Sequence, residues 1–411
     1  MMRYDIAVIG AGASGITSAI YAAKNGARVT VFEKNDEPLK KLLRTGNGKC
    51  NITNSSIDLN EYVSSDVDFV KDRLFSFSNN DLIHFFKTLG LVTKDKNGYI
   101  YPLNEQAVSV SNVLLKEASV YGINIKTGAF VNMIAKEGDK FFISVEGEKQ
   151  RYEFDRIIVS TGSKAGLLKG EKENTEKLLR SFKLDFNSFV PGLCKLILKG
   201  YDFENVKGIR NEAKVSLIMN GQTIKEEYGE ILFWEKGVSG ICIFNLSNLC
   251  KRNIKENDVL SLKIDFLPEY DKEGFKEFKE FAAVSMLLNN EKTLLELFNG
   301  FLKDRLSKMI LDLYEIPANT KVTSITKDEL FDILDLIKNT RFEIVDVAGF
   351  ESAQVCVGGL DTKELTDDFE LRSVPGMFVT GELIDVCGPC GGYNLQWAFT
   401  SGAIAGERSC C

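Results

Sequence analysis

The chain has 411 residues, 44% of them hydrophobic and 27% charged, a composition that supports packed cores without staples and a length that predicts two or three domains. A formal charge of −7 weighs against nucleic acid or an anionic membrane as partner, because such surfaces attract a surplus of lysine and arginine. With one histidine, His84, histidine-based metal centres and a serine–histidine–aspartate triad are excluded, so no metal is expected and the chemistry is assigned to a cofactor.

Tyr4 to Ile9 reads as a short buried strand, and Gly10-Ala11-Gly12-Ala13-Ser14-Gly15 follows directly, leading into a helical pattern from Ile16 to Asn25. Gly10 permits the tight turn, Gly12 lets the backbone approach a pyrophosphate, and Gly15 lets the helix pack close to the strand. The helix start, with Ala11 and Ser14, supplies N–H donors and partial positive charge for the phosphates. This unit also explains the apolar stretch Ile6 to Ile20, which carries Asp5 before it and is not read as a signal peptide.

A second strand, Arg28 to Phe32, ends at Glu33, 18 residues past Gly15, with Lys34 beside it. A carboxylate there suits an adenosine ribose and repels a 2′-phosphate, so NADP is disfavoured while FAD and NAD remain. Lys40, Lys41 and Arg44 lead into Thr45-Gly46-Asn47-Gly48-Lys49-Cys50-Asn51-Ile52-Thr53-Asn54, too rich in glycine, amide and hydroxyl for a regular element. Its backbone N–H groups and side-chain donors, from Gly48, Lys49, Cys50 and Asn51 above all, suit the ribityl and phosphate portions of a long polar cofactor. His84, before Phe85 and Phe86 on an amphipathic helix, is read as structural.

Val131 joins the candidate cofactor contacts. Phe154 to Val159 is a further strand closing in Ser160-Thr161-Gly162-Ser163, with Thr161 and Gly162 placed at the cofactor. Val190 to Phe266 alternates as antiparallel β structure with turns at Asn220-Gly221 and Lys236-Gly237. Between Pro268 and Pro317, Phe275, Phe278, Phe281, Ala282, Met286, Leu294, Leu297, Phe298, Phe301, Leu302, Leu306, Ile310 and Leu313 recur near helical spacing and are expected in a helical core. Thr326 and Glu329 make a capping-box pattern before a helix to Lys338. Phe342 to Val357 is expected to return as strands to the first domain.

The far end carries a matching piece: Gly376 to Glu382 as strand and turn, then Asp385, then Gly391-Gly392-Tyr393-Asn394-Leu395-Gln396 opening a helix through Ala405. Gly381, Glu382, Asp385, Gly391, Gly392 and Asn394 join the cofactor set. Tyr393 and Asn394 are the catalytic candidates, facing the ring; Tyr99, Tyr101 and Tyr393 are chemically able to give a proton.

Gly10 to Gly15, the Thr45 to Asn54 loop, Gly358-Gly359 and Gly381 to Gln396 together resemble the BaiN-like family of FAD-dependent oxidoreductases, also described as aminoacetone oxidase-like flavoproteins. The resemblance implies an α/β fold: a Rossmann-like two-dinucleotide-binding FAD domain (1–187 and 345–411), an inserted β-rich domain (188–267 and 323–344) and a small helical insertion (268–322). It implies that the acid after the late strand lies near the ribityl chain and that the last helix points its start at the flavin's pyrimidine edge. Where family members often have arginine before the loop cysteine, this chain has Lys49, which keeps the charge without the planar fork. No second glycine motif of this kind follows, so NADH or NADPH, if it is the electron donor, docks transiently.

Nine cysteines, an odd number, and no recognised secretory signal predict reduced thiols and a cytoplasmic location. Cys387-Gly388-Pro389-Cys390 has redox spacing, but the helix starts after it, so it is read as turn chemistry; Cys50 is read as a packing thiol in the loop, and Cys410 and Cys411 are expected to fray. The expected function is hydride transfer through FAD to or from a small organic substrate, such as NAD(P)H-dependent reduction of an enone or bile-acid-like compound. The alternatives are an amine oxidase using oxygen and a non-enzymatic FAD-binding module. Neither nucleic acid nor membrane is an expected partner, and the sequence leaves the oligomeric state open.

Overall fold

The computed structural model describes residues 3–167, 172–173, 175–250 and 258–411. The chain divides into two compact units, Met1–Val190 with Val355–Cys411, and Pro191–Gln354.

The first unit is built on a five-stranded parallel sheet in the order Met377–Val379, Arg156–Val159, Asp5–Ile9, Arg28–Phe32, Asn124–Lys126. Its central strand is covered on both faces, with Ile6, Ala7 and Val8 fully buried, the pattern of a sheet packed between layers. Register matters more here than strand count. Ile9 stands opposite Phe32 on one side and Val159 on the other, and Val159 stands opposite Val379. The carboxyl ends of four strands from distant parts of the chain are therefore level, and Gly10, Glu33, Ser160 and Thr380 leave the sheet along one edge.

Two helices lie together on this sheet, Ala13–Lys24 and Tyr393–Arg408. Their approach runs through glycine. A methyl at Gly402 would meet the Ser14 carbonyl oxygen at 2.5 Å, and one at Gly406 the Ser18 carbonyl oxygen at 2.4 Å. Neither neighbour is a side chain that can swing away. Ser18 turns its hydroxyl back to the Ser14 carbonyl at 2.8 Å, so the contact surface leaves that polar group satisfied. Beyond the helix, where Cys410 and Cys411 were expected to fray, the Arg156 guanidinium donates to the Ser409 and Cys411 main-chain oxygens at 2.9 and 2.6 Å.

The second unit carries six strands closed into a barrel, in the order Leu196–Lys199, Gly237–Ser239, Gln222–Trp234, Arg210–Met219, Leu260–Asp265, Thr340–Val347. Thr340–Val347 is thus a barrel strand, and of the expected return segment only Val355 to Val357, the start of strand Val355–Leu360, lies in the first unit. Helices follow at Lys272–Leu288, Leu294–Phe298, Asp304–Leu313 and Lys327–Lys338, the last opened by the reciprocal Thr326–Glu329 box. Phe275, Phe278, Ala282 and Met286 are buried along one stripe of the first of these. Phe281 is 65% exposed, because at 3.6 residues per turn it falls about 100° from the stripe's centre. No helix among the described residues is long and apolar enough to cross a membrane.

Gly406→Val is expected to lower the stability of the first unit by about 1–3 kcal/mol, the usual cost of overpacking a close contact. The check is the midpoint of urea unfolding; an unmoved midpoint would contradict the glycine-mediated crossing.

Candidate cofactor site

The level strand ends bring most of the sequence-derived residues to one rim. Gly10 N donates to the Phe32 carbonyl at 2.8 Å, Ser160 N to Ile9 at 2.8 Å and Thr380 N to Val159 at 3.0 Å, so the ladder is closed up to the point where the turns begin. Ser160 and Thr380 join hydroxyls at 2.7 Å.

The three motif glycines have different jobs. Gly10 has a φ of +102°, and a methyl on it would lie 2.4 Å from the Ser160 carbonyl oxygen. A methyl on Gly15 would lie 2.0 Å from the Gly10 carbonyl oxygen. Both are demanded by the fold itself. Gly12 meets nothing within 4 Å among the described residues, so none of their atoms explains the absence of a side chain there. It caps the helix without a side-chain hydrogen bond and no acidic residue sits in the first turn, which leaves the N–H groups and the positive end of the helix for a ligand.

Glu33, 7% exposed, accepts from Ala11 N at 2.8 Å through one oxygen and from Asn35 N at 2.8 Å through the other, with the Asn35 amide also on it at 2.6 Å. The carboxylate is thereby fixed beside the glycine turn. Ala129 N donates to the Glu33 carbonyl at 2.7 Å, which sets Val131, buried two residues on, at the same edge. Lys34 turns away and caps the Lys172 carbonyl at 2.9 Å. The buried Thr161 hydroxyl has no partner among the described residues, and Gly162 after it, at φ +73°, faces open space. An orphaned hydroxyl, an uncapped helix start and a vacant position over Gly12 at one edge are what a bound dinucleotide would complete. The residues present fit FAD.

The loop after Arg44 is irregular as expected: Gly46, Asn47, Gly48 and Cys50 all take positive φ. Cys50 is fully buried, and burial pushes its thiol up to about 12, which leaves it an unreactive packing group. Lys49 pairs with Glu105 at 3.0 Å. With the Asn51 amide assigned so that its nitrogen donates to Thr53 O at 2.8 Å, its oxygen accepts from Gly392 N at 3.2 Å. Asn54 donates to the Gly391 carbonyl at 3.2 Å, and the buried Thr53 hydroxyl donates to Gln396 at 2.6 Å. The loop and the Gly391-Gly392 turn are one structure; a methyl on Gly392 would strike the Thr53 backbone at 2.4 Å.

Gly381, φ +71°, lies where a methyl would be 2.5 Å from the Ser14 hydroxyl, so the late turn touches the first helix opening directly. Its N–H donates to Ser401 at 2.9 Å and its carbonyl accepts from the Trp397 indole at 3.2 Å. Glu382 takes Lys41 at 2.6 Å and Cys356 N at 3.0 Å. Asp385, 1% exposed, accepts from Gly358 N at 3.1 Å and the Asn187 amide at 3.0 Å. Tyr393 accepts from Asp58 N at 3.0 Å on its hydroxyl, and burial raises its pKa. The Asn394 amide both accepts from Gly388 N at 2.9 Å and donates to Gly388 O at 2.8 Å, binding the cysteine-bearing turn to the helix start. Asn187, Gly402 and Gly406 escaped the sequence reading, as did the bond of the loop residue Asn54 to Gly391; only the spacing of two glycines four apart in the last helix signalled a close crossing.

The sequence pattern of the HI0933-like protein Rossmann domain family matches residues 4–408. This chain belongs to that family. The BaiN-like resemblance, the Rossmann-like α/β class and the oxidoreductase class expected from sequence stand with it. Over 98% of both chains it is 36% identical to a 3-dehydro-bile acid delta(4,6)-reductase of Clostridium scindens. The ribosomal RNA dihydrouridine synthase of Escherichia coli is 27% identical over 98% of this chain and 96% of its own. Among solved structures, a 3-ketosteroid-delta4-(5alpha)-dehydrogenase of Rhodococcus jostii in complex with 4-androstene-3,17-dione shares the family's fold, with a TM-score of 0.51 and 14% identity over 100% of this chain and 97% of that one.

The three glycines give a sharp test. Gly12→Ala is expected to leave the urea midpoint unchanged while weakening FAD binding at least about tenfold, whereas Gly10→Ala lowers the midpoint itself. Titration of the deflavinated protein with FAD beside urea unfolding separates the two effects, and equal loss of stability in both variants would refute the division of roles.

Proposed function

We propose that this protein is a FAD-dependent oxidoreductase that saturates a carbon–carbon double bond conjugated to a carbonyl in a small organic molecule, with a reduced nicotinamide as transient electron donor. The observation that carries the reading is the level edge where Gly12, Glu33, Thr161 and Gly381 converge from four strand ends. Bound FAD supplies the two-electron relay, so that one NAD(P)H and one proton are consumed for each double bond saturated.

The protein's part is to hold and to bias. The Gly10–Gly15 backbone and the start of helix Ala13–Lys24 receive the pyrophosphate, Glu33 and the Val131 edge the adenosine, and Thr161 a polar group between them. Lys41, Glu382, Asp385 and the Gly48–Asn51 loop frame the ribityl side. Helix Tyr393–Arg408 begins at Gly392 with no side-chain cap and no acid in its first turn, so its positive end would stabilise negative charge on a bound flavin. Asn394 keeps that opening in place through Gly388, and the Tyr393 phenol, its pKa raised by burial, stays protonated at neutral pH and able to donate.

The bile-acid reductase, over nearly the full length, supports a polycyclic enone as substrate. The dihydrouridine synthases support a second reading in which the double bond belongs to a uracil ring of RNA, since dihydrouridine is uridine with that bond saturated. The net charge of −7 favours the small molecule.

Anaerobic stopped flow on the flavin band near ~450 nm decides between the classes. The expected result is rapid bleaching by NADH or NADPH alone and reoxidation by a steroidal enone. Bleaching by an amine alone would identify an oxidase, reoxidation by RNA alone would move the substrate to nucleic acid, and tight FAD without any turnover would leave a binding module.

A further inference from the structure

The hairpin of strands Thr93–Lys96 and Tyr99–Pro102 presents one face that the proposed flavin site does not use. Lys94 stands opposite Tyr101 and Lys96 opposite Tyr99, while Leu103 N donates to Val92 O at 2.8 Å, so Val92, Lys94 and Lys96 share a face with Leu103, Tyr101 and Tyr99. From Val92 to Lys96 that face runs about 13 Å, at roughly 3.3 Å per residue.

Its two ends differ. At one end Val92 and Leu103, 62% and 55% exposed, open into a groove of about 480 Å³ whose polar lining is Asn104, Ser109 and Asn112, all neutral. At the other, the Tyr99 ring lies so close to Gly391 that a methyl there would meet it at 2.7 Å, and Tyr101 borders Gly46 of the cofactor loop. From Lys94 in the middle to Lys96 opposite Tyr99 the face is cationic. Lys94 at 2.7 Å, Lys49 at 3.0 Å and Lys96 at 3.7 Å all lie against the single carboxylate of Glu105, and hydrogen bonds from Lys94 and Lys49 hold that carboxyl down to about 2. Three ammonium groups around one carboxylate leave two positive charges in excess, in a chain whose net charge is −7. Exposed pairs of this kind contribute little to stability, and the surplus lysines repel one another.

We propose that this face docks the nicotinamide dinucleotide that reduces the flavin, an inference that rests on the donor named above. The adenosine lies in the Val92–Leu103 groove, the diphosphate with its two negative charges meets Lys94, Lys96 and Lys49, and the nicotinamide is directed past Tyr99 to the Gly391 turn. The order of apolar groove, cationic middle and flavin-edge turn along ~13 Å matches adenosine, diphosphate and nicotinamide. A neutral groove fits an adenosine ribose without a 2′-phosphate, so NADH is preferred to NADPH.

The test uses the flavin-loaded protein and the variant Lys94→Gln/Lys96→Gln. Two readings are taken: the NADH concentration that half-saturates anaerobic flavin reduction, and the Kd of ADP-ribose, which carries the diphosphate and adenosine but no hydride. The variant is expected to raise both by at least about tenfold and to flatten their salt dependence, with FAD content and the limiting reduction rate unchanged. Leu103→Asp raises both again through the groove. Unchanged constants in a protein whose flavin NADH does reduce would overturn the docking face alone, as would a shift confined to the half-saturating concentration of the organic or RNA acceptor, or a preference for NADPH. A wild-type flavin that neither nicotinamide reduces would overturn the donor and this face together.

Discussion

The crossing of helix Ala13–Lys24 by helix Tyr393–Arg408 at backbone distance is the constraint on which the site depends. Gly402 over Ser14 and Gly406 over Ser18 allow an approach that any side chain would forbid, since the opposing atoms are carbonyl oxygens fixed by their own helix. The same crossing sets the Gly381 turn against the Ser14 hydroxyl, and the Trp397 indole and Ser401 hydroxyl then hold that turn from the last helix. Two helix openings separated by most of the sequence are thus built as one object. The sheet beneath supplies the second coordinate: pairing of Val159 with Val379 brings the late turn level with the first.

Charge is distributed with the same economy. The acids at the rim are each committed, Glu33 to Ala11 and Asn35, Glu382 to Lys41 and Cys356, Asp385 to Gly358 and Asn187. None stands in the first turn of either helix whose start faces the rim. An acidic protein therefore keeps two positive helix ends unopposed where an anionic cofactor would lie, while its surplus of carboxylates is dispersed elsewhere.

Much of this was legible in the sequence because glycine positions are local statements. The strand, turn and helix from Asp5 to Lys24 need only neighbouring residues to be recognised, and so does the irregular loop around Gly46 to Cys50. What could not be read depends on partners far along the chain. Thr340–Val347 alternates like any strand, and nothing local says that it closes a barrel against Leu196–Lys199 rather than returning to the parallel sheet. Asn54 and Asn187 look like turn residues until Gly391 and Asp385 are beside them. Phe281 fitted an apolar count but not the phase of its helix, and the end of the last helix gives no local sign of Arg156, which reaches Ser409 and Cys411 from a strand far back in the chain.

The contrast among the motif glycines carries the functional argument further than the motif does. A pattern of three glycines records two kinds of necessity without distinguishing them. Gly10 and Gly15 would be required in this fold even with no ligand, since their missing side chains are replaced by backbone. Gly12 has room for a methyl group and still has none, and the Thr161 hydroxyl nearby on the edge is buried without a partner among the described residues. A fold that denies itself nothing for its own packing at Gly12, yet leaves a donor unsatisfied along the same rim, is shaped around something that is not protein. The level strand ends and the uncapped helix starts say what charge that something carries.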